Sequence, residues 1–498
     1  MDMLPDLLAN RAALSPHKIA LLELESGKEV SFSELNQRSE KLGSLLNANR
    51  ISEGDRVAVL CRNRIAFFEL LFACAKIGAI LVPLNWRAPL AENDDLLARF
   101  SPKIIFHGKE DEALARQTDA GLIKIDFDKN YEGLLAVHAP MRTRKNWPSN
   151  QIWYLLLTSG TTGMPKAVIQ TYGMALCNAV NIGQAIDIVS EDIFLNFLPL
   201  FHSAGINLHT LPAIFNGNTS KIISGFDTDQ VISLIENGEI TAFFGVPAIY
   251  LQLSQHPKFT ELNLSKMRSF GCGGAPLPDY LVELYANKGA LVCNGMGMTE
   301  TGPTAFMMDK ENVKAKIGSV GKPQLLCNVK IVDSQFNEAP IGTAGTLLFS
   351  GPGITPGYWQ NEAATNEAFH VDESGVKWLK SGDTALQDKD GYYYIVGRTK
   401  DMYISGSENV YPAEVENALA RHEKITEVAI VAVPDAKWGE VGVALYIANG
   451  PIANSDLAAF CRGLLAPFKV PKHFIEVKDF PRTAAGKVQK HLIKLPKL

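Results

Sequence analysis

The sequence predicts an α/β protein with a large N-terminal domain of layered sheets and helices and a small C-terminal α+β domain. Three observations predict it. The chain has 498 residues, too long for one compact core. Short Val/Ile/Leu runs alternate with helical stretches as far as Ser350, the pattern of helices layered on sheets. Beyond Ser350 the texture changes, and the charged connector Arg398-Thr399-Lys400-Asp401 sets off a last segment of about 100 residues, within the usual domain range. The division therefore falls at 1–399 and 400–498.

In chain order, "RVAVLC" (Arg56 to Cys61) reads as a buried strand. "RIAFFELLFACAKIGAILVPL" (Arg64 to Leu84) reads as an apolar helix running into a second strand. "IWYLLL" and "AVIQT" are two more strands, and the polar run between them makes a hairpin-like flap. "GPGITPGYW" (Gly351 to Trp359) is a loop and "GYYYIVGR" (Gly391 to Arg398) a strand. "PAEVENALARH" (Pro412 to His422) opens with proline at a helix start and spaces Val415 and Leu419 by four, one helix face. "VAIVAVPD" is another strand.

Composition narrows the function classes. The chain is 46% hydrophobic and 20% charged, with net charge −5, which gives no support for nucleic-acid binding. Seven cysteines (Cys61, Cys74, Cys177, Cys272, Cys293, Cys327 and Cys461) are dispersed without a CxxC pair, as in reduced cytosolic proteins, so a cytoplasmic location is expected. The first residues lack the basic-then-apolar order of a secretion signal, and no apolar run reaches the roughly 18 residues of a membrane span. The oligomeric state stays open, a homodimer included.

The flap is the first stretch that carries chemistry. Thr158-Ser159-Gly160-Thr161-Thr162-Gly163 is all hydroxyls and glycines and closes on Pro165-Lys166. Hydroxyls and backbone N–H groups in a glycine-rich turn, with one ammonium, suit a polyphosphate. Taken alone, the run is as readily a surface turn. It fails the GxxxxGK[ST] pattern of a P-loop, so phosphate would be gripped by a flap and not by a helix N-terminus.

Four runs in order, "TSGTTGMPK", "GMGMTETG", "SGDTA" with "GRTKDMYISGSENVYPAEVE", and "PRTAAGKVQK", resemble the adenylate-forming superfamily of acyl-CoA synthetases, nonribosomal adenylation domains and luciferases. The likeness spans essentially the whole chain, and "PLFHSAG" (Pro199 to Gly205) resembles the acyl-CoA synthetase branch. It implies ATP, Mg²⁺ and CoA as cofactors or substrates and a mobile small domain. Thr158, Ser159, Gly160, Thr161, Thr162, Gly163 and Lys166 would hold phosphates. Thr299 would contact the α-phosphate and Glu300 would hold Mg²⁺, a hard cation suited to a carboxylate. Gly274, Ala275 and Pro276 would line one side of adenine, with Asn294, Met296 and Gly297 nearby. Many relatives carry an aromatic where Met296 stands, so stacking on adenine is expected to be weaker here. Asp383 would accept from the ribose hydroxyls and Arg398 would donate to the same sugar. Lys487 would bridge substrate carboxylate and α-phosphate. Lys400 takes the hinge position, and Gly406 the path of the CoA thiol.

The same resemblance places His202, Val246, Cys272 and Met298 around the acyl group. Amino-acid-activating relatives have an Asp close to the place of His202, which offers no fixed anion, so α-amino acids are disfavoured. The expected walls hold no Arg or Lys, which disfavours a second carboxylate. The reading is therefore an AMP-forming ligase that activates an apolar short- or medium-chain fatty acid or an aromatic acid through acyl-AMP to a CoA thioester. The alternatives are a stand-alone enzyme loading a carrier protein, a luciferase-like oxygenase, and a non-catalytic nucleotide-binding relative. Intact Lys166, Glu300, Asp383 and Lys487 argue against the last.

Overall fold

The computed structural model describes residues 2–117, 121–141, 146–158, 165–275, 277–405, 408–482 and 488–495. A large N-terminal domain of layered sheets carries a smaller C-terminal domain, and the chain is mixed α/β throughout.

Two largely parallel sheets build most of the large domain. In the six-stranded one, Arg56–Leu60 lies between Ile80–Pro83 and Ile104–His107, all parallel. Such strands are covered on both faces, which is why they read as continuous apolar runs. The helix Ile65–Ile77 that follows Arg56–Leu60 is buried from Ile65 to Lys76 and stops at Gly78 in the left-handed region, φ 78°. At one edge Ile152–Thr158 and Lys166–Thr171 form an antiparallel hairpin, with Thr158 opposite Lys166. The strands on either side of the polar run therefore pair as a hairpin, as the sequence predicts, while Ser159 to Met164 lie outside the described residues.

In the nine-stranded sheet, Ile193–Asn196, Ala242–Gly245, Ser269–Cys272 and Val292–Met298 are mutually parallel neighbours. Their C-terminal ends consequently lie along one side. The four segments that leave those ends carry His202, Val246, Gly274 with Ala275, and Thr299 with Glu300. Ligands in open α/β sheets bind at this place. Among the described residues the two largest core clusters lie around the helix Ile65–Ile77 and around Phe243, Tyr250 and Phe270.

A five-stranded antiparallel sheet follows, in which Lys377–Gln387 pairs with Gly345–Ser350 and with Tyr393–Arg398. The last sheet has Ile425–Asp435 and Gly439–Ala448 as its long hairpin, joined by Tyr403–Ser405, Glu408–Val410 and His473–Glu476. Helices Pro412–Leu419 and Asn454–Leu464 share its core through Val415, Leu419, Leu457 and Cys461. Pro412 stands in the first turn of its helix, where a missing N–H costs nothing.

Candidate active site

Lys166 begins the return strand of the hairpin, and its neighbours Ala167 to Ile169 pair on their outer side with residues 357–359. Trp359 N donates to Ala167 O (2.8 Å) and Ile169 N to Gly357 O (3.1 Å). This seats Tyr358 beside Lys166, with Nζ 4.9 Å from the ring centroid. The Tyr358 hydroxyl donates to Glu300 Oε1 at 2.9 Å. A cation and a carboxylate far apart in sequence thus meet on one tyrosine. Thr355 N also donates to the Glu300 carbonyl at 2.8 Å, and Thr355 Oγ1 to Ile169 O at 2.7 Å.

Glu300 is 7% exposed, and among the described residues no hydrogen bond reaches its Oε2. A buried carboxylate with one oxygen held and one open is suited to a cation. No group of three or more His, Cys, Asp or Glu side chains is placed to hold a metal among the described residues. That donor set fits Mg²⁺, which takes one or two carboxylates and completes its shell with substrate phosphates and water, and Glu300 would hold it.

Thr299 is positioned through its backbone. Its carbonyl accepts from Gln170 Nε2 (2.8 Å), and Gln170 Oε1 accepts from Asn207 Nδ2 (3.2 Å). Asn207 Oδ1 in turn accepts from the Tyr154 hydroxyl, and its carbonyl from Asn178 Nδ2. Asn207 sits in a π-helical turn, Ala204–Leu208, directly after His202. Such turns are frequent at functional sites. The Thr299 hydroxyl takes no partner among the described residues. Thr158 Oγ1 donates back to Lys166 O at 3.4 Å across the hairpin base.

On the antiparallel sheet Asp383 stands opposite Arg398, with Arg398 Nε 3.0 Å from Oδ1. Gly382, at φ +75°, turns the backbone between Ser381 and Asp383 in a region other residues resist. Thr399 is tied back to this strand, its N to Gly382 O (3.0 Å) and its hydroxyl to Thr384 Oγ1 (3.1 Å). Lys400 follows in an exposed turn before the last sheet begins at Tyr403.

Around the expected acyl group, Cys272 is fully buried, while Val246 caps the helix Pro247–Ser254. Gly274 has φ +81°, a second position that asks for glycine, and a Cβ there would approach Val246. Met296 and Met298 both pack against the cluster around Phe306 and Tyr393. At Gly297 a Cβ would come within 2.4 Å of Pro303 backbone. The Asn294 amide turns to Ser319 O (3.3 Å), and its Oδ1 is buried without a partner among the described residues. His202 Nε2 is likewise buried and, among the described residues, unpartnered, and burial first, then the charge of Arg87, pushes its pKa down to about 4. The ring is neutral at working pH. Ser159 to Gly163, Pro276, Gly406 and Lys487 lie outside the described residues.

Sequence reasoning missed Tyr358, Gln170, Asn207 and Arg87. Arg87 and Arg62 flank Trp86, at 4.5 and 3.2 Å from its ring, and Trp86 meets Phe201 beside His202. The expectation that no Arg or Lys stands near the acyl group counted only the walls on the nine-stranded sheet. Arg87 enters from the other sheet.

The chain matches the AMP-binding enzyme family over residues 8–359 and the AMP-binding enzyme C-terminal domain over residues 414–487. A feruloyl-CoA synthase from Amycolatopsis is 36% identical, covering 96% of both chains. An indoleacetate–CoA ligase from Aromatoleum aromaticum is 33% identical over 98% of this chain and 96% of its own. Among solved structures, the o-succinylbenzoate CoA synthetase of Bacillus subtilis in complex with its acyl-adenylate intermediate superposes with a TM-score of 0.89 at 29% identity, covering 100% of this chain and 99% of that one. The same enzyme has been seen with ATP and a magnesium ion. Four motifs in order, a fold shared over its whole length and a match across most of the sequence lead to one assignment: the chain belongs to the AMP-binding enzyme family, in the acyl-CoA synthetase branch of the adenylate-forming superfamily.

Proposed function

We propose that the protein is an AMP-forming acyl-CoA synthetase. The observation that carries this reading is the meeting of Lys166 and Glu300 on Tyr358, at 4.9 and 2.9 Å, beside a flap rich in phosphate donors. In the first half-reaction a carboxylate oxygen of the acid attacks the α-phosphorus of ATP, and the bond to pyrophosphate breaks. In the second the CoA thiol attacks the carbonyl and AMP leaves. The first barrier is charge, an anion approaching a polyanion. Lys166 and Lys487 offset that repulsion by placement, with Lys487 between the two reacting anions. Bound magnesium neutralises phosphate charge, and Glu300 orients it. The Thr299 hydroxyl meets the α-phosphate, while Asp383 and Arg398 hold the ribose. The two units divide at 399/400. Lys400 serves as hinge for a small domain that withdraws Lys487 and brings the Gly406 loop to the thiol path. Seven free cysteines, five of them buried, support a reducing, cytoplasmic setting.

For the acid, an aryl-substituted monocarboxylic acid is the first choice. Phe244 and His209 lie near the ends of the strands that carry Val246 and Cys272, with ring centroids 5.9 Å apart, and the feruloyl and indoleacetate relatives both take aryl acids. A second reading, an acid with a further carboxylate, is favoured by the charge of Arg87, which stands over Trp86, whose ring meets Phe201 next to His202, and is felt at His202. A panel of aryl, aliphatic and dicarboxylic acids with ATP and CoA, scored by AMP release and thioester formation, decides between them. No acid-dependent ATP–pyrophosphate exchange across the whole panel would leave only a nucleotide-binding role. Exchange without transfer to CoA would point to a carrier-protein acceptor.

A further inference from the structure

We infer that Tyr358 is a positioning residue of the adenylation site, fixing one oxygen of Glu300 and carrying Lys166 on its ring so that the other carboxylate oxygen faces the nucleotide's magnesium. This rests on the reading of Glu300 as the metal-holding carboxylate.

Tyr358 and Glu300 are 9% and 7% exposed, so neither can exchange this contact freely for water. The hydroxyl is the only donor to the Glu300 carboxylate among the described residues. A bond to Oε1 stops the carboxylate from rotating, which leaves Oε2 as the presented lone-pair donor. The position of that oxygen matters more than usual because, among the described residues, no group of three or more His, Cys, Asp or Glu side chains could hold an ion. Lys166 lies over the ring face, where the quadrupole attracts its ammonium and limits its swing. Residues 355–359 are also stitched on both sides, to the strand of Lys166 through Trp359 N and Ile169 N, and to the Glu300 backbone through Thr355 N. A single side chain on a pinned segment therefore sets the spacing between the phosphate-binding cation and the metal-binding anion.

The test uses the full chain with Tyr358→Phe, which deletes only the hydroxyl, and Glu300→Gln. ATP binding is measured by calorimetry with EDTA and then with Mg²⁺, alongside Mg²⁺ titrations of acid-dependent ATP–pyrophosphate exchange. In Tyr358→Phe the metal-free ATP affinity should match wild type, while the gain on adding Mg²⁺ shrinks roughly tenfold, as for loss of a hydrogen bond to a charged group. In the double variant Tyr358→Phe should add nothing to Glu300→Gln, because both act through one contact. An unchanged Mg²⁺ response in Tyr358→Phe, beside a lost one in Glu300→Gln, would overturn this inference alone. Additive effects in the double variant, or equal loss of ATP affinity with and without metal, would overturn it too, since a purely structural tyrosine behaves that way. A wild-type Mg²⁺ response in Glu300→Gln would overturn the reading of Glu300 itself.

Discussion

Arg398 stands directly across the paired strands from Asp383, its Nε 3.0 Å from a carboxylate that is 9% exposed. Asp383 N donates to Ser381 Oγ at 2.9 Å, and Arg398 Nη1 to Ser381 O at 3.1 Å, so the pair and its turn form one unit. A carboxylate already aimed by Arg398 is what two sugar hydroxyls would meet.

Asp383→Asn should therefore weaken nucleotide binding more than chemistry. The amide keeps one acceptor but offers a donor where a hydroxyl would donate. The KM for ATP should rise about tenfold with kcat within about threefold, because hydrogen bonds to charged acceptors are worth about 1.5–3 kcal/mol and the ribose is remote from the reacting atoms. Steady-state kinetics in ATP check it. A fall confined to kcat would remove Asp383 from the ribose.

Gln170 is 1% exposed and links Asn207 to the Thr299 carbonyl. Gln170→Ala leaves that carbonyl and an Asn207 donor without partners in the interior. The expected loss of stability is about 1–3 kcal/mol, read from the urea midpoint. The slackened Thr299–Glu300 loop should also lower kcat for adenylation while the KM for the acid changes little. Wild-type stability and rate together would show that the link positions nothing.

Legibility in the sequence followed range. The hairpin at Thr158 and Lys166, the buried helix after Arg56–Leu60 and the proline-led helix at Pro412 were all readable, because each is written in a local period or cap. Parallel pairing then brought the ends carrying His202, Val246, Gly274 and Glu300 to one side, which α/β layering already implied. Tyr358 was not readable. Its loop looks like any Gly/Pro-rich connection, and its function depends on pairing with residues 167–169 from a distant part of the chain. Arg87 escaped for the same reason, since its charge acts on His202 from the loop after Ile80–Pro83, a strand of the other sheet. Asn207 lies in an apolar run whose single amide looks like an irregularity until its partners Tyr154 and Gln170 are beside it.

Acid should cost the protein stability through its buried imidazoles. Burial, then Arg87, holds His202 down to about 4, and burial holds His209 down to about 4 against a hydrogen bond that the ring donates to the Leu195 carbonyl. Unfolded, both titrate near about 6.5. Between about pH 6.5 and 4 the unfolded chain thus binds more protons, so stability is full above that window and falls on acidification through it. Asp111, pushed up to about 6 by burial, binds its proton first in the folded state and offsets part of this at the acid end. His209→Gln removes one imidazole and leaves Asp111 alone. Its urea midpoint should drop less between about pH 7.5 and 5 than that of wild type. Equal drops would mean that His209 does not titrate in this way.

Asp279, at the start of the helix Asp279–Asn287, pairs with Arg421 just beyond the helix Pro412–Leu419, so this ion pair joins the small domain to the large one. If the small domain swings about Lys400, the pair exists in one arrangement and is lost in the other. Both partners are partly exposed, 26% and 52%, and such pairs are worth about 0.2–1 kcal/mol. Breaking it with Asp279→Ala should shift the balance of arrangements by up to about fivefold and no more. The two half-reactions must then respond differently. The step served by the paired arrangement slows, and the other speeds up or holds, depending on whether the swing limits it. Lys487→Ala identifies the steps independently, since it should abolish acid-dependent pyrophosphate release while still converting supplied acyl-AMP and CoA to thioester. The measurement is each half-reaction assayed separately for both variants, with Arg421→Ala as a check that the charge pair and not the local helix is responsible. A matched loss in both half-reactions for Asp279→Ala and Arg421→Ala would mean that the contact holds the fold together and does not choose between two arrangements.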